Sequence, residues 1–159
     1  MQPDEDRVEA LGAEIDGWGE REEDIEIERE MLDGLRDLAE LTKAVVRAGL
    51  PVVLTGHRVV GTEVCHFTAP SSMPDAAGQP SGRLLLTGRR AIFVGGARGM
   101  AIPWHAVGKA LQVERDVVLV RSDRDELHRF RCNSFSDVFK GAFIARELVA
   151  TRRARRAGL

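Results

Sequence analysis

The spacing of apolar residues changes once along this chain, at Gly49-Leu50-Pro51, and that change restricts the fold more than any other feature. Before it, Met31, Leu35, Leu38, Thr42 and Val45 recur every three or four residues. Leu32, Ala39 and Val46 widen the stripe, and Glu and Arg fill the opposite face. This predicts an amphipathic helix over residues 20–49, stopped by Gly49 and Pro51. The stripe is wider than a coiled-coil seam, so packing on a globular surface or a short multi-helix interface is expected.

After Pro51 the period falls to two. Runs at Val52 to Thr55 and Val59 to Phe67 read as strands, followed by Leu84 to Thr87 and Arg90 to Val94. Thr55-Gly56-His57-Arg58 and Thr87-Gly88-Arg89-Arg90 share a pattern that predicts type II′ hairpin turns, with glycine supplying positive φ. Residues 69–82, rich in Pro, Gly and Ser, predict a mobile loop. Strands follow at Met100 to Ile102, Val107 to Glu114, Val117 to Arg121 and Leu127 to Cys132. In the last, Leu127, Arg129 and Arg131 alternate with His128, Phe130 and Cys132. Asn133 or Ser134 then caps a helix whose Phe135, Phe139 and Phe143 share one face. Seven or eight short strands before one amphipathic helix point to a β-barrel or sandwich, with the helix plugging an open end.

Charge is divided along the chain. Residues 1–48 hold 16 acidic and 6 basic side chains, whereas residues 49–159 hold 9 and 17. Residues 1–19 carry Gly12, Gly17 and Gly19 among their carboxylates, which predicts a partly disordered acidic tail. An acidic start is unlike a secretion signal, and no run of apolar residues is long enough to span a bilayer. Two cysteines make no disulfide framework, so a reduced, cytoplasmic protein is expected. The organisation read here is a tail at 1–19, a helix at 20–49 and one domain at 50–159.

Gly82-Arg83-Leu84-Leu85-Leu86-Thr87-Gly88-Arg89-Arg90-Ala91-Ile92-Phe93 resembles the G-x-L-x-L-T-x-x-R-h-x-F signature, h being apolar, of GRAM-like and related bacterial pleckstrin-homology-like domains. Ala101-Ile102-Pro103-Trp104 with Val107 is similar to the strand that follows it in that group. The likeness covers about residues 52–150. It implies an α+β fold, mainly β: a pleckstrin-homology-like barrel of about seven strands, capped by a C-terminal helix and preceded by the acidic one. It also implies a binding module and not an enzyme. A barrel already plugged by its own helix leaves the stripe of Met31, Leu35, Leu38 and Val45 for a second copy, and homo-oligomerisation through that helix is the preferred expectation. The resulting alternative function is a self-assembling structural protein.

Candidate sites are few. Cys65, His66, His57, His105, His128 and Cys132 have no metal-ligand spacing, and no metal site or cofactor is expected. Gly95-Gly96-Ala97-Arg98-Gly99 lacks the Lys-Ser/Thr of a phosphate loop. No nucleophile with a base or pair of carboxylates stands out, so no catalytic residue is assigned. Arg58, Arg89, Arg90 and Arg98 sit in or beside turns. On a barrel rim they would hold an anionic lipid or ligand, and otherwise they are solvated or paired with the acidic helix. Arg152, Arg153, Arg155 and Arg156 read as a solvated helix end or an anionic-surface contact. A protein partner is expected, weak anionic lipid contact is a second possibility, and nucleic acid is not expected because basic and aromatic residues do not interleave.

Overall fold

The computed structural model describes residues 22–96 and 98–158, with the side chains of Glu22, Glu23, Asp24 and Arg98 left aside. The acidic tail expected at 1–19 lies outside the described residues. Helix α1 spans Glu22–Ala48. Seven strands follow: β1 Cys65–Ser72, β2 Ser81–Thr87, β3 Arg90–Gly95, β4 Arg98–Pro103, β5 Val107–Val113, β6 Asp116–Arg121 and β7 Leu127–Cys132, and helix α2 spans Phe135–Arg156. They form one antiparallel sheet in the order β4-β3-β2-β1-β7-β6-β5. The sheet is not closed, because β4 and β5 end it without pairing to each other. The α+β architecture is therefore as expected, while the closed barrel is not seen.

One face of the sheet carries the main core. Phe67, Leu84, Leu86, Phe93, Val117, Leu119 and Phe130 meet Phe135, Val138, Phe139 and Phe143 of α2 there. The three phenylalanines of α2 are buried together, as their spacing of four requires. Ser134 starts α2 by accepting a hydrogen bond from the Asp137 amide at 3.1 Å.

The stripe of α1 is covered within the chain. Leu32, Leu38, Ala39 and Thr42 are buried, and Leu35 and Val45 pack on the main core. At Gly34 a Cβ would come within 2.9 Å of both Phe139 Cδ2 and the Ser136 amide nitrogen, so the two helices touch there almost backbone to backbone. Glu30 locks this position: its carboxylate receives Arg115 at 2.8 and 3.0 Å, and Arg115 also lies 4.4 Å over the Phe135 ring. These bonds hold the Glu30 carboxyl below its ordinary value against the opposing effect of burial. A second copy is thus not needed to bury Leu35, Leu38 or Val45, whereas Met31 stays 39% exposed.

Four local expectations are corrected. Residues 52–64 form no strand. They run as an irregular segment with a 3-10 turn at Arg58–Val60, and Val60 and Val53 cover Cys65, Leu85 and Ile92 on the outer face of the sheet. A bulge at Cys65/Phe67 makes this possible, since it turns Cys65 outward and Phe67 to the main core. Thr55-Gly56 is accordingly no hairpin. Thr87-Gly88 does join β2 to β3, but Gly88 lacks positive φ. The turn is held instead by Thr87 Oγ1, which accepts the amides of Arg89 and Arg90 at 3.2 and 3.1 Å. The loop expected at 69–82 shrinks, because β1 runs on to Ser72 and β2 begins at Ser81. Pro70 is tolerated inside β1 because β7 pairs with that strand only at Ser71 and Ser72.

Candidate functional site

The four arginines singled out from the sequence have different fates. Arg90 is committed to structure: its Nε and Nη2 reach Glu63 Oε2 at 3.1 and 2.9 Å, and Nη2 also donates to the Val59 carbonyl. It fastens the irregular segment to the β2–β3 turn. Arg58 is exposed on the 3-10 turn of that segment. The Arg98 side chain lies outside the described residues. Arg89 faces a cavity.

That cavity has a volume of about 520 Å³ and lies between the irregular segment, the β2–β3 turn and the last turns of α2. Arg89, Arg152 and Arg155 line it together with His66 and Glu63. Glu63 contributes no free charge, because its two oxygens take Arg90 and the Thr87 hydroxyl. Among the described residues, none of the three lining arginines has an ion-pair partner. His66 is oriented by a 2.8 Å bond from its Nδ1 to the Pro51 carbonyl, which can only accept. Its other nitrogen therefore points toward the Gly88 turn, 3.7 Å from where a Cβ on Gly88 would stand. Three exposed guanidinium groups around one cavity, beside a single carboxylate already taken by Arg90, form a place for an anion.

The same segment presents apolar side chains to solvent. Val53 turns inward, its amide bonded to the Cys65 carbonyl at 2.8 Å, so its neighbours turn outward. Val52 is 67% exposed and Leu54 96% exposed, with Val59 and Val64 about half exposed. Val64 is also a wall of the cavity.

The histidine and cysteine candidates do not assemble. Among the described residues, no three His, Cys, Asp or Glu side chains are grouped to hold a metal. Burial pushes the Cys132 thiol up to about 12 and also raises that of Cys65, so neither is a thiolate. His128 is buried with Nε2 lacking a hydrogen bond, and Glu126 Oε1 stands 3.4 Å away. Burial lowers its pKa.

Arg152, Arg153, Arg155 and Arg156 form one run in the sequence. The structure separates them by helical phase. Leu148, Thr151, Arg152 and Arg155 face the cavity, and Arg146, Val149, Ala150 and Arg153 face β5. Each set follows the i, i+3, i+4, i+7 spacing of one helix face.

No known family's sequence model matches the chain, and no curated protein matches it. Among solved structures, it is similar to the C-terminal domain of an unknown protein from Leishmania infantum, at 12% identity and a TM-score of 0.46. That likeness covers 55% of this chain and 84% of the other. Among the described residues, no helix is long and apolar enough to cross a membrane.

Proposed function

We propose that this chain is a non-enzymatic binding module with a pleckstrin-homology-like sheet, and that it attaches to anionic lipid surfaces. The observation that supports this reading is the pairing of two features, a cationic cavity and the irregular segment that borders it. Arg89, Arg152 and Arg155 stand unpaired around one cavity, and the segment forming its wall exposes Val52 and Leu54. Exposed apolar side chains on a segment that also borders unpaired cations suit the boundary between head groups and acyl chains. Each arginine near an anionic leaflet contributes about 1 kcal/mol. Burying Leu54 adds about 1.5–3 kcal/mol. Such sums give weak, reversible attachment that fades as salt rises.

Co-sedimentation with vesicles tests the proposal. Vesicles of phosphatidylcholine mixed with phosphatidylserine should retain the protein, and pure phosphatidylcholine should not. Arg89→Ala combined with Arg152→Ala, and separately Leu54→Ser, should each weaken retention while the thermal unfolding midpoint stays within the wild-type range. Equal retention by both vesicle types, or by all variants, would refute the reading.

A further inference from the structure

We infer that the free edge of β5, with the groove between it and α2, accepts an extended acidic segment of a partner protein as an added strand. β5 ends the sheet, and among the described residues no strand pairs with its outer side. The register identifies which backbone groups are open. Val113 pairs with Asp116 across a two-residue turn in which Glu114 has φ +53°, so Val113, Leu111 and Lys109 form the bonded pairs with β6. By alternation, Ala110 and Gln112 turn their N–H and C=O groups away from the sheet. Gly108, at the bulge, turns the same way, since its carbonyl accepts a bond from Arg153 of α2.

Beside these groups lies a groove of about 510 Å³ between β5 and the second half of α2. Gly108, Ala110 and Ala150 keep it open by their small size, while Leu111 and Val149 supply apolar walls. Its charged residues are Lys109, Arg146 and Arg153, and no carboxylate lines it. Lys109 and Arg146 have no ion-pair partner among the described residues. An open ladder of amides is matched by another peptide backbone, and a wholly cationic rim is matched by acidic side chains on that peptide. A second copy of this chain fits less well, because β5 pairing with β5 sets lysines and arginines of like charge against each other. The site is separate from the lipid-facing cavity, since the two use different faces of α2.

The test uses the full chain, isotopically labelled, titrated with a blocked Glu-Val-Glu-Val-Glu peptide. The amides of Ala110 and Gln112 should shift and exchange more slowly with solvent. Arg146→Ala and Lys109→Ala should each weaken binding about two- to fivefold, as expected for one exposed ion pair. The same peptide N-methylated on alternate residues should not bind, which separates strand addition from charge attraction. Three outcomes would overturn the inference: no shift on β5 at millimolar peptide, equal binding of the N-methylated peptide, or equal binding of a Lys-Val-Lys-Val-Lys peptide. Displacement of the acidic peptide by a single-stranded oligonucleotide that itself shifts Ala110 and Gln112 would reassign the groove to nucleic acid.

Discussion

Arg90 and Glu63, 27 residues apart in the chain, meet with Nη2 and Nε of the arginine 2.9 and 3.1 Å from one carboxylate oxygen. This pair, with Thr87 bonded to the other oxygen, fixes the segment that carries both Leu54 and the cavity wall. Glu63 is 11% exposed and Arg90 38%, so solvent screens the attraction in part. Glu63→Ala should cost about 1 kcal/mol, seen as a midpoint about 2–4 °C lower in thermal unfolding. Amide exchange over residues 57–64 should quicken more than in the sheet. An unchanged midpoint and unchanged exchange would mean that the segment is held by Val53 and Val60 alone.

Gly34 gives a prediction that turns on sign. On a free helix, Gly34→Ala would stabilise α1 by about 1 kcal/mol. Here the added Cβ meets Phe139 and the backbone of Ser136 within 2.9 Å, and backbone cannot step aside as a side-chain end can. The substitution should therefore destabilise, by about 1–3 kcal/mol. Phe139→Ala probes the same contact from the other side. Phe139 is 8% exposed and stacks on Phe135 at 5.7 Å, and its loss should cost about 3–5 kcal/mol. Chemical denaturation of both variants measures this directly. A stabilised Gly34→Ala protein would detach α1 from α2.

The elements that the sequence makes legible are those whose partner is nearby. β7 and the start of α2 are read correctly, because the burial of His128, Phe130 and Cys132 follows a local period of two and Ser134 caps its own helix. Val52 to Leu54 also alternates, yet its partner is the outer face of Cys65, Leu85 and Ile92, which no local pattern reveals. The turn at Gly88 looked like a glycine device, but the conformation comes from the Thr87 hydroxyl. The cavity joins Arg89 to Arg152 and Arg155, more than 60 residues later, and no local pattern connects that turn with that helix end. The division of the C-terminal arginines between two faces follows from helical spacing alone.

His128 predicts a pH dependence near neutrality. Burial depresses its pKa below the ordinary 6.5, so the unfolded chain takes up a proton before the folded one does. Its contribution to stability is full above pH 6.5 and is lost as pH falls through the lower folded value. Melting curves should therefore show a falling midpoint below about pH 6.5. His128→Leu should flatten that step and leave in place any decline at more acidic pH that comes from Glu30 and Asp116, whose carboxyls are held below their ordinary values. A step of undiminished size in His128→Leu would assign it to another group.

The two thiols should resist alkylation. With Cys132 raised to about 12 and Cys65 raised by burial, neither offers thiolate at neutral pH, and both side chains are about 2% exposed. Iodoacetamide should label both only at the rate of unfolding. Rapid labelling of either in native buffer would show that its part of the sheet opens readily.

Asp116 carries the most revealing prediction, because its partners lie outside and it lies inside. It is 1% exposed and takes Arg129 at 2.7 Å and Arg131 at 2.9 Å, while those guanidinium groups are 34% and 47% exposed. Burial pulls the Asp116 carboxyl up, but the bonds from Arg131 and Arg129 outweigh it and hold the group below its ordinary value. Asp116→Asn leaves two arginines that water can still solvate. Removing both arginines leaves a buried carboxylate with no partner, which is the costlier error. The double variant Arg129→Ala, Arg131→Ala should thus melt lower than Asp116→Asn at pH 7. The pH dependence separates the two causes. In the native chain the Asp116 contribution is lost as pH falls, because the folded carboxyl is the stronger acid. In the double variant burial is unopposed, the folded carboxyl becomes the weaker acid, and lowering the pH should restore part of the lost stability. A deficit that stays constant from pH 7 to about pH 4 would mean that the arginines act by packing and not by charge.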